Sequence, residues 1–371
     1  MDKRDALTAE DISRLVRSFA PEVILYRPVP NNLALHEAAM GVIRSADVPL
    51  AIWIMDDWPS QLAAEDPQLF ARLDSDLREL LARADLRLSI CDAMSIAFAQ
   101  RYNVPFKAFA NAIDPQDWPP RRRGDTKANT FVLRYAGALA KNMVLDSVRR
   151  TAQAIERLSS RGVDIRFEIT THPCWQKTAE REFTIFHRTS ISTLRPHTAY
   201  REWLSQADAL LIAYNFDEAS KNYVRYSLAN KLPECLASGA VVIAHGPSDV
   251  ATIDYIRSLD CAVVATEADE EALATAIKGL VEDPDRRHNL SEKGTRRCFR
   301  CPQCPPHSPR SACRVSYSGS SEEDVGWSGT ISGIRTYHTR THRRNAGDLD
   351  PVLPVNRHRA CYDRCRCALR K

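Results

Sequence analysis

SLANKLPECLASGAVVIAHGP, residues 227–247, is the stretch whose reading decides the fold. Its first half is helical in pattern, and the pattern stops at Ser238-Gly239. Glycine is favoured just past a helix because a left-handed backbone costs it no Cβ clash. A continuous apolar run, VVIAHG at 241–246, follows at once. An apolar strand butted against a helix, without polar alternation, belongs to a parallel sheet covered on both faces. Lys231 and Glu234 stand at i and i+3 and so share a helix face. By spacing alone they make a surface ion pair, worth roughly 0.2–0.5 kcal/mol, or belong to a site.

The same alternation extends outward from this stretch. Upstream lie strands at 130–137 (TFVLRYAG), 164–172, 189–193 and 209–215, with helices over 144–160 and 200–207. Downstream lie a strand at 261–266 and helices near 248–258 and 269–282. Earlier in the chain come EVILYRP (22–28), PLAIWIMD (49–56), LRLSIC (86–91) and FKAFAN (106–111), separated by helices around 33–45, 67–83 and 93–102. A first helix opens at Thr8, whose hydroxyl is placed to cap the Asp11 amide. Residues 114–130, rich in Pro and charge, read as a linker. The expected fold class is α/β: two Rossmann-like doubly wound domains, 1–113 and 131–294. Ligands are expected in the cleft between them, at the carboxyl ends of the strands.

Composition changes near Gly294. From Thr295 onward there are 14 Arg and one Lys against six acids, a balance of +9; the whole chain carries +4, which leaves −5 for residues 1–294. That earlier part has no nucleic-acid footprint. Seven of the 11 cysteines crowd the last 77 residues, from Cys298 to Cys367. The segment 295–371 has no periodicity and too few aliphatic residues to offset its ordering entropy. It is expected to be disordered and to derive from a shifted reading frame, the rival being a genuine basic, Cys-rich extension. Cys298, Cys301, Cys304 and Cys313 have short spacings but lack a second well-spaced ligand pair, so no metal site is expected. No apolar run of 18 residues occurs, and the N-terminus lacks a signal-peptide core. The expected location is cytoplasmic, with at most peripheral contact with the inner face of the membrane.

Two further stretches carry candidate chemistry. In RYAGALAKNMVLDSV (134–148) a strand ends at Gly137 and a helix begins near Met143. Amides at that helix start favour a diphosphate, with Lys141 as a mobile cation; the plainer reading is an ordinary connection with a solvated lysine. In WIMDDWPSQ (53–61) a strand ends in Asp56, Asp57 and Trp58. Either carboxylate would orient a ligand hydroxyl at the cleft and Trp58 would offer a stacking face, unless Asp57 caps a helix.

Taken together, these stretches resemble family 4 glycosyltransferases of the GT-B fold. Lys231, Leu232, Glu234, Leu236, Ala237, Gly239 and Val242 match the family's donor-binding signature, and Gly137 with Lys141 matches its Gly-x-x-x-x-Lys segment. Residues 93–118 resemble its helix, Arg-Tyr-x-x-Pro, strand and Asn-x-Ile-Asp run before the linker. The resemblance implies that Glu234 accepts hydrogen bonds from the donor ribose and that Gly137, Lys141 and Lys231 line the donor site. It also implies that Lys141 stabilises the leaving diphosphate and that Asp56 or Asp57 acts on the acceptor side. The family's common Arg after the glycine is Ala138 here, and Arg225 is the candidate replacement. Cys235, Tyr226 and Val241 are further departures.

The function implied is transfer of a sugar from a nucleotide-diphosphate sugar to a saccharide or lipid-linked acceptor. Configuration would be retained without a bound metal or other cofactor; no Asp-x-Asp stands at a strand end after residue 130. The alternatives are an inactive or truncated relative that only binds nucleotide sugar, and a nucleotide-sugar epimerase.

Overall fold

The structure, a computed structural model, describes residues 9–114, 117–118, 130–193 and 197–299. Four parallel strands form the first sheet: β1 (Ile24–Tyr26), β2 (Leu50–Ile54), β3 (Leu86–Ser89) and β4 (Lys107–Ala108), in the order β1-β2-β3-β4. Its helices are α1 (Ala9–Phe19), α2 (Leu33–Ser45), α3 (Trp58–Glu65), α4 (Pro67–Arg83) and α5 (Asp92–Tyr102). Side-chain caps set several helix starts. Asn32 accepts from the Leu35 amide at 3.1 Å, and Asp66 from the Leu69 amide at 3.0 Å. Each such cap is worth about 1 kcal/mol.

Six parallel strands form the second sheet: β5 (Phe131–Ala136), β6 (Ile165–Thr171), β7 (Thr189–Thr193), β8 (Ala209–Ala213), β9 (Val241–His245) and β10 (Ala262–Ala265). They are accompanied by α6 (Leu145–Ser160), α7 (Gln176–Phe183), α8 (His197–Ser205), α9 (Glu218–Val224), α10 (Leu232–Ala237), α11 (Ala251–Leu259), α12 (Glu270–Val281) and α13 (Pro284–Phe299). β5, β8 and β9 are buried at every residue, which is why they read as unbroken apolar runs. The strand order is β10-β9-β8-β5-β6-β7. The chain therefore winds outward in one direction from β5 through β6 and β7, and in the other from β8 through β9 and β10. The order reverses between β5 and β8. In open parallel sheets, that switch point opens a crevice at the carboxyl ends of the strands.

The α/β architecture with parallel sheets agrees with the sequence reading. Gly239 follows α10 with φ +76°, the left-handed geometry expected of it. One boundary shifts. Regular structure does not stop at Gly294, because α13 runs through it to Phe299. Three contacts hold the end of α13 against α10 and the strand that follows it. Ser291 Oγ donates to Gly239 O at 2.6 Å, Thr295 Oγ1 to Leu236 O at 3.4 Å, and the Cys298 thiol to Pro233 O at 3.4 Å. Cys298 is thereby buried in the hydrophobic core beside α10. The Thr8 cap, most of the 114–130 linker, and the expectations for residues 300–371 lie outside the described residues. No described helix is long and apolar enough to cross a membrane.

Candidate functional site

The loop joining β5 to α6, residues 137–144, leaves the sheet at the switch point, and its polar groups are sorted by type. The carbonyls are tied to the protein. Lys231 Nζ donates to Ala136 O at 2.8 Å, Thr171 Oγ1 to Gly137 O at 2.7 Å, and the Tyr135 hydroxyl to Ala138 O at 2.6 Å. Ala140 O accepts the amides of Met143, Val144 and Leu145, and Lys141 O accepts Asn215 Nδ2 at 2.7 Å. The amides of residues 138–142, by contrast, have no acceptor among the described residues. Within this run the carbonyls of Ala138, Ala140 and Lys141 are turned to internal donors, and N–H groups left free beside them can bind an anion. Lys141 lies exposed within this run, and its ammonium has no ion-pair partner among the described residues.

The start of α6 itself is not the donor array expected from the sequence. Val144 and Leu145 donate to Ala140 O, while Asp146 and Ser147 donate to Asn215 Oδ1 at 3.0 and 3.2 Å. These N–H groups are consumed internally, and the amides left without an acceptor are those of the loop.

Gly137 and Lys231, matched in separate stretches, are neighbours. A Cβ on residue 137 would stand 2.7 Å from Lys231 Nζ and 3.0 Å from the Tyr135 hydroxyl, so a larger residue would have to displace the ammonium. Lys231 is half-buried, with its ammonium 4.1 Å from the Tyr135 ring centroid. Burial pushes its pKa down to about 8. It is therefore a strut under the loop and not half of a surface ion pair. Glu234, one turn later, is half-buried and lies beside Tyr200, whose hydroxyl is 3.4 Å from Glu234 Oε2. Burial, with that carboxylate next to it, holds the Tyr200 phenol well above its usual range. Arg225 is engaged elsewhere: its guanidinium pairs with Asp249 at 3.3 Å and Glu218 at 3.6 Å. Those two acids neutralise it, which argues against the phosphate role considered for it.

At the carboxyl end of β2, the three candidates separate. Asp56 keeps partial exposure and pairs with Arg27 at 2.7 Å. Asp57 is only 1% exposed and fully committed. It caps α3 through the Ser60 amide (3.2 Å), accepts the Ser60 hydroxyl (2.8 Å), and receives Arg101 at 2.7 and 3.2 Å. That commitment corrects the acceptor role considered for Asp57. Trp58 is corrected as well: starting α3 turns it inward, where it is 5% exposed in the apolar core and offers no stacking face. The two sheets meet nearby. The Cys91 thiol, just after β3, donates to Tyr226 O at 3.2 Å. Burial raises Tyr214, just after β8, to about 12, with the Asp56 carboxylate among the lesser causes.

Asn215, Arg27 and Tyr200 had escaped the sequence reading. Apart from the Asn215–Ser220 bond, their partners lie tens of residues away, beyond any local spacing. The one available signal for Asn215 was its place directly after a buried strand at the switch point.

No family model matches the sequence, and no curated protein matches it. Solved structures do. A sucrose-phosphate synthase from Thermosynechococcus elongatus superposes with a TM-score of 0.61 at 12% identity, over 78% of this chain and 72% of that one. The HepE protein of Anabaena, solved with UDP-glucose, gives 0.58 at 14% identity, over 77% and 76%. A trehalose 6-phosphate synthase from Burkholderia multivorans gives 0.56 at 12%, over 78% and 72%. The chain spans 54% of the length of TarM from S. aureus. With its two parallel sheets and these neighbours, the chain has the GT-B fold.

Proposed function

We propose that this chain is a glycosyltransferase that moves a sugar from a nucleoside-diphosphate sugar to a saccharide or lipid-linked acceptor. The observation that carries this reading is the 138–142 loop at the switch point of the second sheet, with unpaired amides, tethered carbonyls and an exposed Lys141. Diphosphate oxygens accept from the loop amides. The Lys141 ammonium neutralises the charge that grows on the departing diphosphate, a form of stabilisation realised most fully in the transition state. The Glu234 carboxylate accepts from the ribose hydroxyls, and Asp56, held by Arg27, orients the acceptor hydroxyl from the first sheet. The chemistry is then positioning plus stabilisation of the leaving group.

The resemblance adds retention of configuration and catalysis without a resident metal or other cofactor; the nucleotide sugar is the co-substrate. A cytoplasmic location, at the inner membrane face for a lipid-linked acceptor, fits that donor. HepE has been solved with UDP-glucose and a TarM variant with UDP, which supports a uridine donor as the first one to try. The test is incubation with a panel of nucleoside-diphosphate sugars and saccharide or lipid-linked acceptors, read by mass spectrometry. Mass transfer to an acceptor is expected. Donor isomerisation without transfer would make the protein an epimerase, and absence of nucleotide binding would overturn the reading altogether.

A further inference from the structure

We infer that Asn215 is the positioning residue for Lys141 and the anion-binding loop, an inference that rests on the donor site proposed above. Asn215 is 1% exposed and follows β8, on the far side of the switch point from β5. A side-chain amide offers two lone pairs and two N–H groups, and every one is used. Oδ1 accepts the Asp146 amide at 3.0 Å and the Ser147 amide at 3.2 Å. Nδ2 donates to Lys141 O at 2.7 Å and to Ser220 Oγ at 3.2 Å. The backbone amide of Asn215 adds a bond to Met143 O at 2.8 Å.

Two consequences follow from this geometry. First, α6 is capped from 69 residues away, because its own N-cap residue, Val144, has no side chain able to accept. Its first amides are thereby withdrawn from any ligand, and the anion is directed to residues 138–142. Second, the peptide that carries the Lys141 side chain is anchored by its carbonyl to a buried group. Lys141 itself remains exposed, so its stem moves while its root does not. Ser220, fully buried and near the start of α9, extends the tether. Asn215 contacts no substrate in this arrangement and acts only through the loop.

The substitutions differ in what they remove. Asn215→Asp keeps both acceptor functions at the α6 amides, where a carboxylate is favoured by the helix dipole, but loses the donor to Lys141 O. Asn215→Ser is neutral and too short to serve both sides. Binding of UDP and of inorganic pyrophosphate to the full chain is measured by calorimetry, with hydrogen exchange at the loop residues Met143 and Val144, whose amides donate to Ala140 O, read in parallel. Both variants are expected to bind about tenfold more weakly, because the loop is no longer held in one arrangement before the anion arrives, and to exchange faster in the loop. Lys141→Ala is expected to cost much less in the Asn215→Asp background than in the wild type, because the two residues act in series.

Unchanged exchange in the loop overturns the inference whatever the ligand binding shows. So do additive losses in the double variant. A loss confined to Asn215→Asp would trace to its charge and would also overturn it. A wild-type protein that binds neither probe rejects the donor-site reading itself, and the exchange data still decide whether Asn215 holds the loop.

Discussion

Lys231 Nζ donates a 2.8 Å hydrogen bond to Ala136 O, joining two stretches 95 residues apart. The contact places the start of α10, just before Glu234, against the loop that follows β5. It also bears on residue 137, since a Cβ there would collide with the same ammonium.

The strut should leave a signature in pH. The Lys231 pKa is about 8 in the fold against the ordinary lysine value of 10.5. Between those values the unfolded chain holds a proton that the folded one does not, so stability rises with pH across this window. As pH falls from 10.5 to 8, Lys231 should cost on the order of 2 kcal/mol, with no further change below 8. Lys231→Met should flatten that limb in urea unfolding measured from pH 8 to 10.5. An identical slope in both proteins would mean that the ammonium is not held as found.

Asp56 and Asp57 are adjacent but should behave oppositely. Asp57→Ala removes a cap and leaves Arg101 without its buried partner, a loss of about 3 kcal/mol. Asp56→Ala breaks a partly exposed pair with Arg27 and should change stability by about 1 kcal/mol or less, while lowering transfer to acceptor. Thermal unfolding and turnover on the same two variants test this. Equal destabilisation by both would deny Asp56 its separate role.

Lys141 should matter more to turnover than to donor affinity, because charge on the diphosphate grows as the bond to the sugar breaks. Lys141→Ala is therefore expected to lower kcat by more than it raises KM. A change in KM alone would reduce Lys141 to a ground-state anchor.

Much of this architecture was legible because it is written locally. VVIAH at 241–245 and ALLIA at 209–213 are unbroken apolar runs because both faces of their strands are covered. Gly239 announced the end of α10. What escaped depends on direction or distance. Trp58 beside two carboxylates resembled a stacking platform, but its facing is set by Asp57 capping α3, which turns the ring into the core. Asn215 resembles any polar residue after a strand until α6 is seen folding back onto it. α3 and α7 are short, and α13 is mostly polar, so none carries a strong apolar stripe.

His245 gives a second pH signature on the acid side. It ends β9, fully buried against Phe216, with its Nδ1 3.1 Å from Ala265 O. Burial lowers its pKa from 6.5 to about 4, and Arg150 adds to the effect. The neutral ring is favoured in the fold, so the unfolded chain binds the extra proton between pH 6.5 and 4. Stability should fall as pH drops through that window, by on the order of 2–3 kcal/mol. His245→Asn keeps a donor near Ala265 O and should remove this part of the acid limb in denaturant titrations at pH 4 to 7.

Gly294 tests whether α13 continues as found. Inside a helix, glycine costs roughly 0.5–1 kcal/mol relative to alanine, through the greater backbone freedom it gives up. The space beside it admits a methyl group. A Cβ at 294 would meet Leu236 Cδ2 at 3.4 Å and Cys261 O at 3.9 Å, which are ordinary contact distances. Gly294→Ala should therefore raise the unfolding free energy by about the same roughly 0.5–1 kcal/mol, read as a higher urea midpoint at unchanged slope. If the helix stopped short of residue 294, alanine would relieve no helical penalty there and the midpoint would stay where it was. A fall in the midpoint would mean that α13 lies closer to α10 than Leu236 allows.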